Sequence, residues 1–433
     1  MIASLWLLVL IIVASLIHKY CFLSPKRIEF NHIFSFSLGY LFYCIIPSIF
    51  FELIKNIQNI AFSKLSNIYK AIPDLKLMSY LIISFLYYIS FTFGASSAKK
   101  LRFITGYPRL FHDRYFNFNI IQNIVFLPVF MLGILLIYLC RTSFFVGYTG
   151  EKLASSSLSA YEFLLNAFVL MYLNSFEYKY HSKSLILNKW VLWLIIYSIL
   201  LLTTGGRLYV MTCFMSVLIF YSCIKLKGLN TKYTIITGII VIALVGIIGI
   251  LRAGSTVVNF TGITTNILGE SLLTSWSGIS YIRYYSLFNL GNIFEFGKIL
   301  FTGLLNVVPT FIFSEKGKYM YSVWNLYPLA EAPGGATHFF LTYNGGLGIV
   351  LSVLFFFVLG RLLGRMHKNL RIKNVAVKTI YCLVSANLLF TLYRDAFSIS
   401  VIKNIFELSI VVPYFIIWSG GKISRKPVRP DRA

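Results

Sequence analysis

Long apolar runs separated by short polar breaks make up almost the whole chain, and one long polar stretch interrupts them. A helix needs about 20 apolar residues to cross a hydrocarbon layer. Eleven segments reach or approach that length: near 2–17, 33–51, 77–96, 119–139, 157–175, 189–204, 208–224, 233–251, 339–360, 375–393 and 399–418. The first has no Lys or Arg before it and no small-residue cleavage site, so it is expected to stay as a span. The pattern predicts an all-α integral membrane protein of about eleven spans. Residues 1–251 would carry spans one to eight with short loops, 252–338 one large extracytoplasmic loop, and 339–433 the last three spans with a basic tail. Between Phe51 and Ile72, apolar residues at Ile54, Ile57, Ala61, Leu65, Ile68 and Ile72 alternate with Lys55, Lys64 and Lys70, the spacing of a helix lying on a membrane surface.

Composition agrees with this reading. At 58% hydrophobic and 12% charged residues, the chain lies far outside the range of soluble domains. Charge then orients it, because short cationic loops are translocated poorly. With the tail Lys422–Arg432 inside, the inner loops hold 25 of the 39 Lys and Arg, and the large loop falls outside. The net charge of +25 is therefore a topology signal. Its scatter over many short loops argues against nucleic acid as a partner. Cys21, Cys44, Cys140, Cys213, Cys223 and Cys382 show no paired spacing, so they are expected to be small core residues, with neither disulfides nor a zinc site. No cofactor is called for. Glu407 is the one acid plainly inside a span.

Candidate chemistry gathers at the outer boundary. Spans six and seven are joined by Thr203-Thr204-Gly205-Gly206-Arg207, a turn that needs Gly205 and Gly206 to reverse the chain through positive φ. Arg207 opens the next helix, where a cation opposes the macrodipole. That placement makes sense if Arg207 and the helix end grip a phosphate together, the alternative being an arginine reaching for lipid headgroups. Arg252 ends the eighth span, where the dipole favours a cation in any case. In Tyr281-Ile282-Arg283-Tyr284-Tyr285, the rings of Tyr281, Tyr284 and Tyr285 are suited to sugar faces and Arg283 to a phosphate, although interfacial aromatic girdles produce similar runs. Arg394 and Asp395 are adjacent and can neutralise each other. In this topology His338 is the outer histidine, a candidate acid-base group or a helix-junction residue, and Glu331 is a nearby carboxylate.

The stretch Val308-Pro309-Thr310, then Lys316 and Lys318, then Glu331-Ala-Pro-Gly-Gly335-Ala-Thr-His338, followed by Tyr343-Asn344-Gly345-Gly346-Leu-Gly348, resembles the O-antigen (Wzy-type) repeat-unit polymerases. The Thr-Gly-Gly-Arg turn at 204–207 is similar to the Gly-Ser-Arg or Gly-Gly-Arg turn of those enzymes and of the related O-antigen ligases. Phe339 stands where the ligases have Asn, which favours polymerase over ligase. The resemblance covers about residues 190–360. It implies a GT-C-like, inverting glycosyltransferase on the outer face of the bacterial plasma membrane, working on oligosaccharide linked to undecaprenyl pyrophosphate, with a chain-length regulator as a further partner. In that role Arg207, Arg252 and Arg283 would hold the pyrophosphate, and His338 or Glu331 would serve the acceptor hydroxyl. A lipid-linked oligosaccharide flippase is the alternative from another class, and it should line a cavity with charges at mid-membrane.

Overall fold

The computed structural model describes residues 2–54, 63–98, 118–144, 152–179, 188–204, 207–226, 228–252, 260–291, 293–308, 313–321, 323–328, 338–368, 370–372, 375–395, 403–405 and 407–413. All eleven apolar runs are helical over most or all of their described residues. In chain order come α1 (Ile2–Cys21), α2 (His32–Tyr40), a π-helical turn (Leu41–Ile45), α3 (Ile46–Ile54), α4 (Ser63–Lys70), α5 (Asp74–Ser97), α6 (Phe118–Leu139) and α7 (Lys152–Lys179). Then follow α8 (Lys189–Thr204), α9 (Arg207–Ile219) with a second π-helical turn (Phe220–Lys225), and α10 (Thr231–Arg252). Among the described residues, four helical stretches are long and apolar enough to cross a membrane: Ile2–Cys21, His32–Leu53, Asp74–Ser97 and Gly348–His367. Shorter apolar helices accompany them at Asn123–Leu139, Lys189–Thr204, Tyr209–Lys225 and Val375–Asn387. α6 turns Ile124, Leu127, Met131 and Leu135 outward, and α10 does the same with Ile235, Ile236, Ile239 and Ile240. Rows of exposed aliphatic side chains on long helices are stable against hydrocarbon rather than water.

The polar interruption is largely helical. It contains α11 (Phe260–Tyr284), α12 (Ile293–Val307) and the short α13 (Val323–Leu326). α11 is rich in Ser and Thr, which lowers its hydropathy, yet Ser271, Thr274, Ser275 and Ser277 are buried. Their hydroxyls bond back to carbonyls three or four residues earlier, as Thr274 does to Glu270 at 2.8 Å and Ser277 to Thr274 at 3.0 Å. Satisfied in this way, small hydroxyl residues let a helix pack closely inside a bundle. After His338 a third π-helical turn (Leu341–Gly345) leads into α14 (Gly348–His367), α15 (Val375–Asn387) and α16 (Thr391–Arg394). Of the amphipathic stretch expected over 51–72, α4 is present and buries Ile68, while 55–62 lies outside the described residues.

Contacts sort the loops onto two ends. At one end β1 (Phe22–Ser24), β2 (Arg27–Ile28) and β3 (Leu229–Asn230) form a small antiparallel sheet, joining the loop after α1 to the one before α10. Among the described residues this sheet is the one departure from an all-α fold, and it pairs loop backbone that would otherwise lack partners. Glu29 and His367 meet at the same end, 3.2 Å apart. At the other end Lys76 Nζ donates to the carbonyl of Arg283 at 2.9 Å, and Gly291 lies against Gly348, both at positive φ. A Cβ on Gly348 would lie 2.3 Å from the Gly291 nitrogen, so the glycine opening this helix does permit the close backbone approach its pattern suggests. The loops at 18–32, 225–232 and 361–378, placed on one side by charge, thus meet at one end of the bundle.

α5 and α14 run parallel in tight contact. A Cβ on Gly94 would meet the Phe357 carbonyl at 2.1 Å, one on Gly360 the Phe91 carbonyl at 2.1 Å, and one on Gly364 the Ala95 carbonyl at 2.4 Å. Contact positions advance together along both helices, which makes them parallel. Small residues four apart allow this approach, since packing rather than hydrophobic exclusion joins helices in lipid.

Candidate functional site

The π-helical turn between α2 and α3 shapes the centre of the molecule. Widening to an i→i+5 bond, from the Ile46 amide to the Leu41 carbonyl, disturbs the regular ladder and frees neighbouring carbonyls. The Tyr43 carbonyl there takes two side-chain contacts, from Ser275 Oγ of α11 at 3.1 Å and from His338 Nε2 at 3.1 Å. His338 is further fixed by its own amide, which donates to Ser277 Oγ at 2.9 Å, and by the Phe340 amide, which donates to Nδ1 at 3.3 Å. With Nδ1 accepting, the network assigns the proton to Nε2. His338 is 1% exposed, and a Cβ on Gly278 would stand 2.6 Å from its Nδ1. The junction histidine is therefore a clamp between α11 and the π-helical turn, with both ring nitrogens engaged.

Beside Tyr43 lies a buried ion network. Arg394 pairs with Glu270 of α11 and, at 3.4 Å, with Asp395, and Asp395 pairs in turn with Lys403. The Lys403 ammonium also lies over the Tyr209 ring of α9, 4.8 Å from its centroid. Asp395 is 5% and Lys403 8% exposed. Arg394 and Asp395 thus do more than neutralise each other, because each carries a second partner of opposite sign. Two further acids are fully buried close by. Glu162 of α7 accepts from Ser198 at 2.8 Å, and Glu407 accepts from Asn387 at 2.7 Å, so Glu407 is not alone inside the bundle. The Tyr43 hydroxyl has no hydrogen-bond partner among the described residues, and its ring stacks 6.1 Å from Tyr393. A fixed charge in hydrocarbon costs several kcal/mol unless paired, and intramembrane ionisable groups commonly mark substrate or ion paths.

Glu270 of this network lines an apolar cavity of about 680 Å³. Phe34, Leu38 and Phe42 line one wall and Met211, Phe214 and Leu218 another, and Glu270 is the only charged side chain among the described residues that line it. Phe22, Ile28 and Leu229 of the small sheet line it as well. A long hydrocarbon chain with a polar head suits such a shape.

Several predicted site residues fall into place around these features. Arg207 is the first residue of α9, so the Thr-Gly-Gly-Arg turn leads to within two residues of Tyr209 and its Lys403. Arg252 ends α10. Both arginines are described in backbone only, and Gly205, Gly206 and Glu331 lie outside the described residues. Tyr281 does not offer a sugar platform. It is fully buried, its hydroxyl accepts from Asn344 at 3.2 Å, and its ring stacks 5.7 Å from Tyr285. One face of α11 turns inward at Tyr281, and the run Tyr-Ile-Arg-Tyr-Tyr contains residues of both faces. Tyr284 is 49% exposed, and the Arg283 guanidinium lies 4.9 Å from its ring centroid. Asn344 also accepts from Tyr87 at 2.7 Å. Sequence reasoning missed Glu270, Lys403 and Tyr43. An acid within a serine-rich helix and a lysine within an apolar run were the available signals. Compared with protein-family models, curated proteins and solved structures, the chain matches none.

Proposed function

We propose that the protein polymerises lipid-linked oligosaccharide repeat units at the outer face of a bacterial plasma membrane, moving a growing chain from undecaprenyl pyrophosphate onto an incoming unit. The observation that carries this reading is the apolar cavity with Glu270 on its lining, the acid that pairs with Arg394 and so joins the Arg394–Asp395–Lys403 network. A polyprenyl chain would lie in the cavity, and its anionic head would reach the cations and the start of α9 at Arg207. In the transfer, the acceptor hydroxyl attacks the anomeric carbon, the bond from that carbon to phosphate oxygen breaks, and the pyrophosphate leaves on its lipid. Fixed cations in a site of low dielectric stabilise that leaving group. Glu270, exposed to the cavity, is placed to take the hydroxyl proton. His338 serves as a positioning residue, because both of its nitrogens are already bonded.

The test is a gel of surface polysaccharide from cells with and without the gene. Loss of the ladder, with single repeat units still made, supports the polymerase. In complementation, Arg207→Ala is expected to reach the membrane and fail to extend chains, and normal-length polymer from that variant would sink the assignment. A flippase is the second reading, favoured by the buried Glu162, Glu407 and Asp395. It predicts that no repeat unit reaches the outer face. Polymer that persists but never joins its final acceptor would indicate a ligase.

A further inference from the structure

At the sheet end of the bundle, three metal-binding side chains converge from distant segments. Glu29 lies between β2 and α2, Cys223 in the π-helical turn after α9, and His367 in the last turn of α14. One ligand atom from each lies within 4.8 Å of the others, and Glu29 Oε2 is 3.2 Å from His367 Nε2. Around a tetrahedral ion with bonds of about 2.0–2.3 Å, ligand atoms stand about 3.3–3.8 Å apart. The triangle therefore closes on an ion with shifts of about 1 Å. Thiolate, imidazole and carboxylate together suit Zn²⁺ and its neighbours and are too soft a set for Mg²⁺ or Ca²⁺.

A second histidine, this one buried, borders the triad. His32 is 2% exposed, and its Nε2 has no hydrogen-bond partner among the described residues. Its Nδ1 lies 3.0 Å from the Tyr381 hydroxyl. Tyr381 thus engages one imidazole nitrogen of His32. The His32 and His367 ring centroids are 5.4 Å apart, but His32 is not among the side chains whose ligand atoms all lie within 4.8 Å of one another, so it stands beside the triad and not in it. Glu29 and His367 keep side-chain exposures of 13% and 27%, which leaves a solvent route to the buried thiol. Arg371, whose Nε donates to the Cys223 carbonyl at 3.3 Å, is compatible with the site, because a dication, a thiolate and a carboxylate sum to zero charge.

We propose that Glu29, Cys223 and His367, with solvent in the fourth position, bind a transition-metal ion of the Zn²⁺ class and so tie the loop after α1, the end of α9 and the end of α14 together. Binding displaces one proton from the Cys223 thiol, so affinity rises with pH. This site lies at the end of the bundle away from the ion network and does not depend on the polymerase reading. The test strips the purified full-length protein with a chelator and titrates it with Co²⁺. One equivalent should bind with a thiolate-to-cobalt charge-transfer band, and Zn²⁺ should abolish that band. C223S should lose the band while staying monodisperse, H367Q and E29Q should bind at least tenfold more weakly, and C140S should match the unmodified protein. No band in the unmodified protein, or an unchanged band in C223S, overturns the proposal. Should C223S fail to fold, unchanged Co²⁺ affinity in H367Q overturns it equally.

Discussion

Asp395 shows how a single side chain can be committed at the centre of a membrane bundle. It is 5% exposed and faces both Arg394 and Lys403. Removing one member of a buried pair strands the other, at a cost of about 3–5 kcal/mol. Asp395→Asn and Lys403→Met are each expected to lose stability of that order in detergent-solubilised protein, while the double variant loses much less than the two combined. Thermal unfolding midpoints of the four proteins measure this, and additive losses would show that the two groups are not coupled. Of this cluster, the Arg394-Asp395 dipeptide was legible in the sequence. Its partners Glu270 and Lys403 were not, because only the packing of α11 and the last described helix against α16 brings them within reach.

Among the helices, α5 and α14 make the interface most sensitive to substitution. Gly360→Leu would drive a side chain into the Phe91 carbonyl, and overpacking of this kind costs about 1–3 kcal/mol or more. Backbone cannot yield as a flexible side chain can, so the expected result is a sharp fall in folded yield, read as monodisperse protein after extraction. Gly297→Ala, at a position with nothing within 4 Å, should behave like the unmodified protein. Equal yields from the two variants would mean that the helices do not pack this closely. The spacing Gly360-x-x-x-Gly364 is visible in the sequence. Its partner is not, because helix pairing depends on which surfaces meet. The helical character of α11 was likewise hidden, since its polarity is internal to its own backbone hydrogen bonds.

Across the whole molecule, the sheet end and the Gly291–Gly348 end should lie on opposite sides of the membrane. All six cysteines are buried, so new surface thiols can be labelled against a silent background. Leu290, 83% exposed, should react as Leu290→Cys with an impermeant maleimide in intact cells. Ser24→Cys, in the strand loop, should react only after the cells are opened. The reverse pattern would invert the orientation drawn from the basic loops, and labelling of both from one side would break the two-ended arrangement.

Hydrophobic run length by itself determined that this is a helical membrane protein and where its apolar helices fall, and charge distribution predicted which loops share a side. These properties are local or additive: a run either spans hydrocarbon or does not, and each basic loop adds to the bias. Only the tertiary structure decided that His338 is a clamp, that Tyr281 is core, and that Glu29, Cys223 and His367 meet. Each of these depends on contacts between segments from about 60 to more than 300 residues apart. Such contacts are chosen by the shape complementarity of whole helices, which no single stretch of sequence carries.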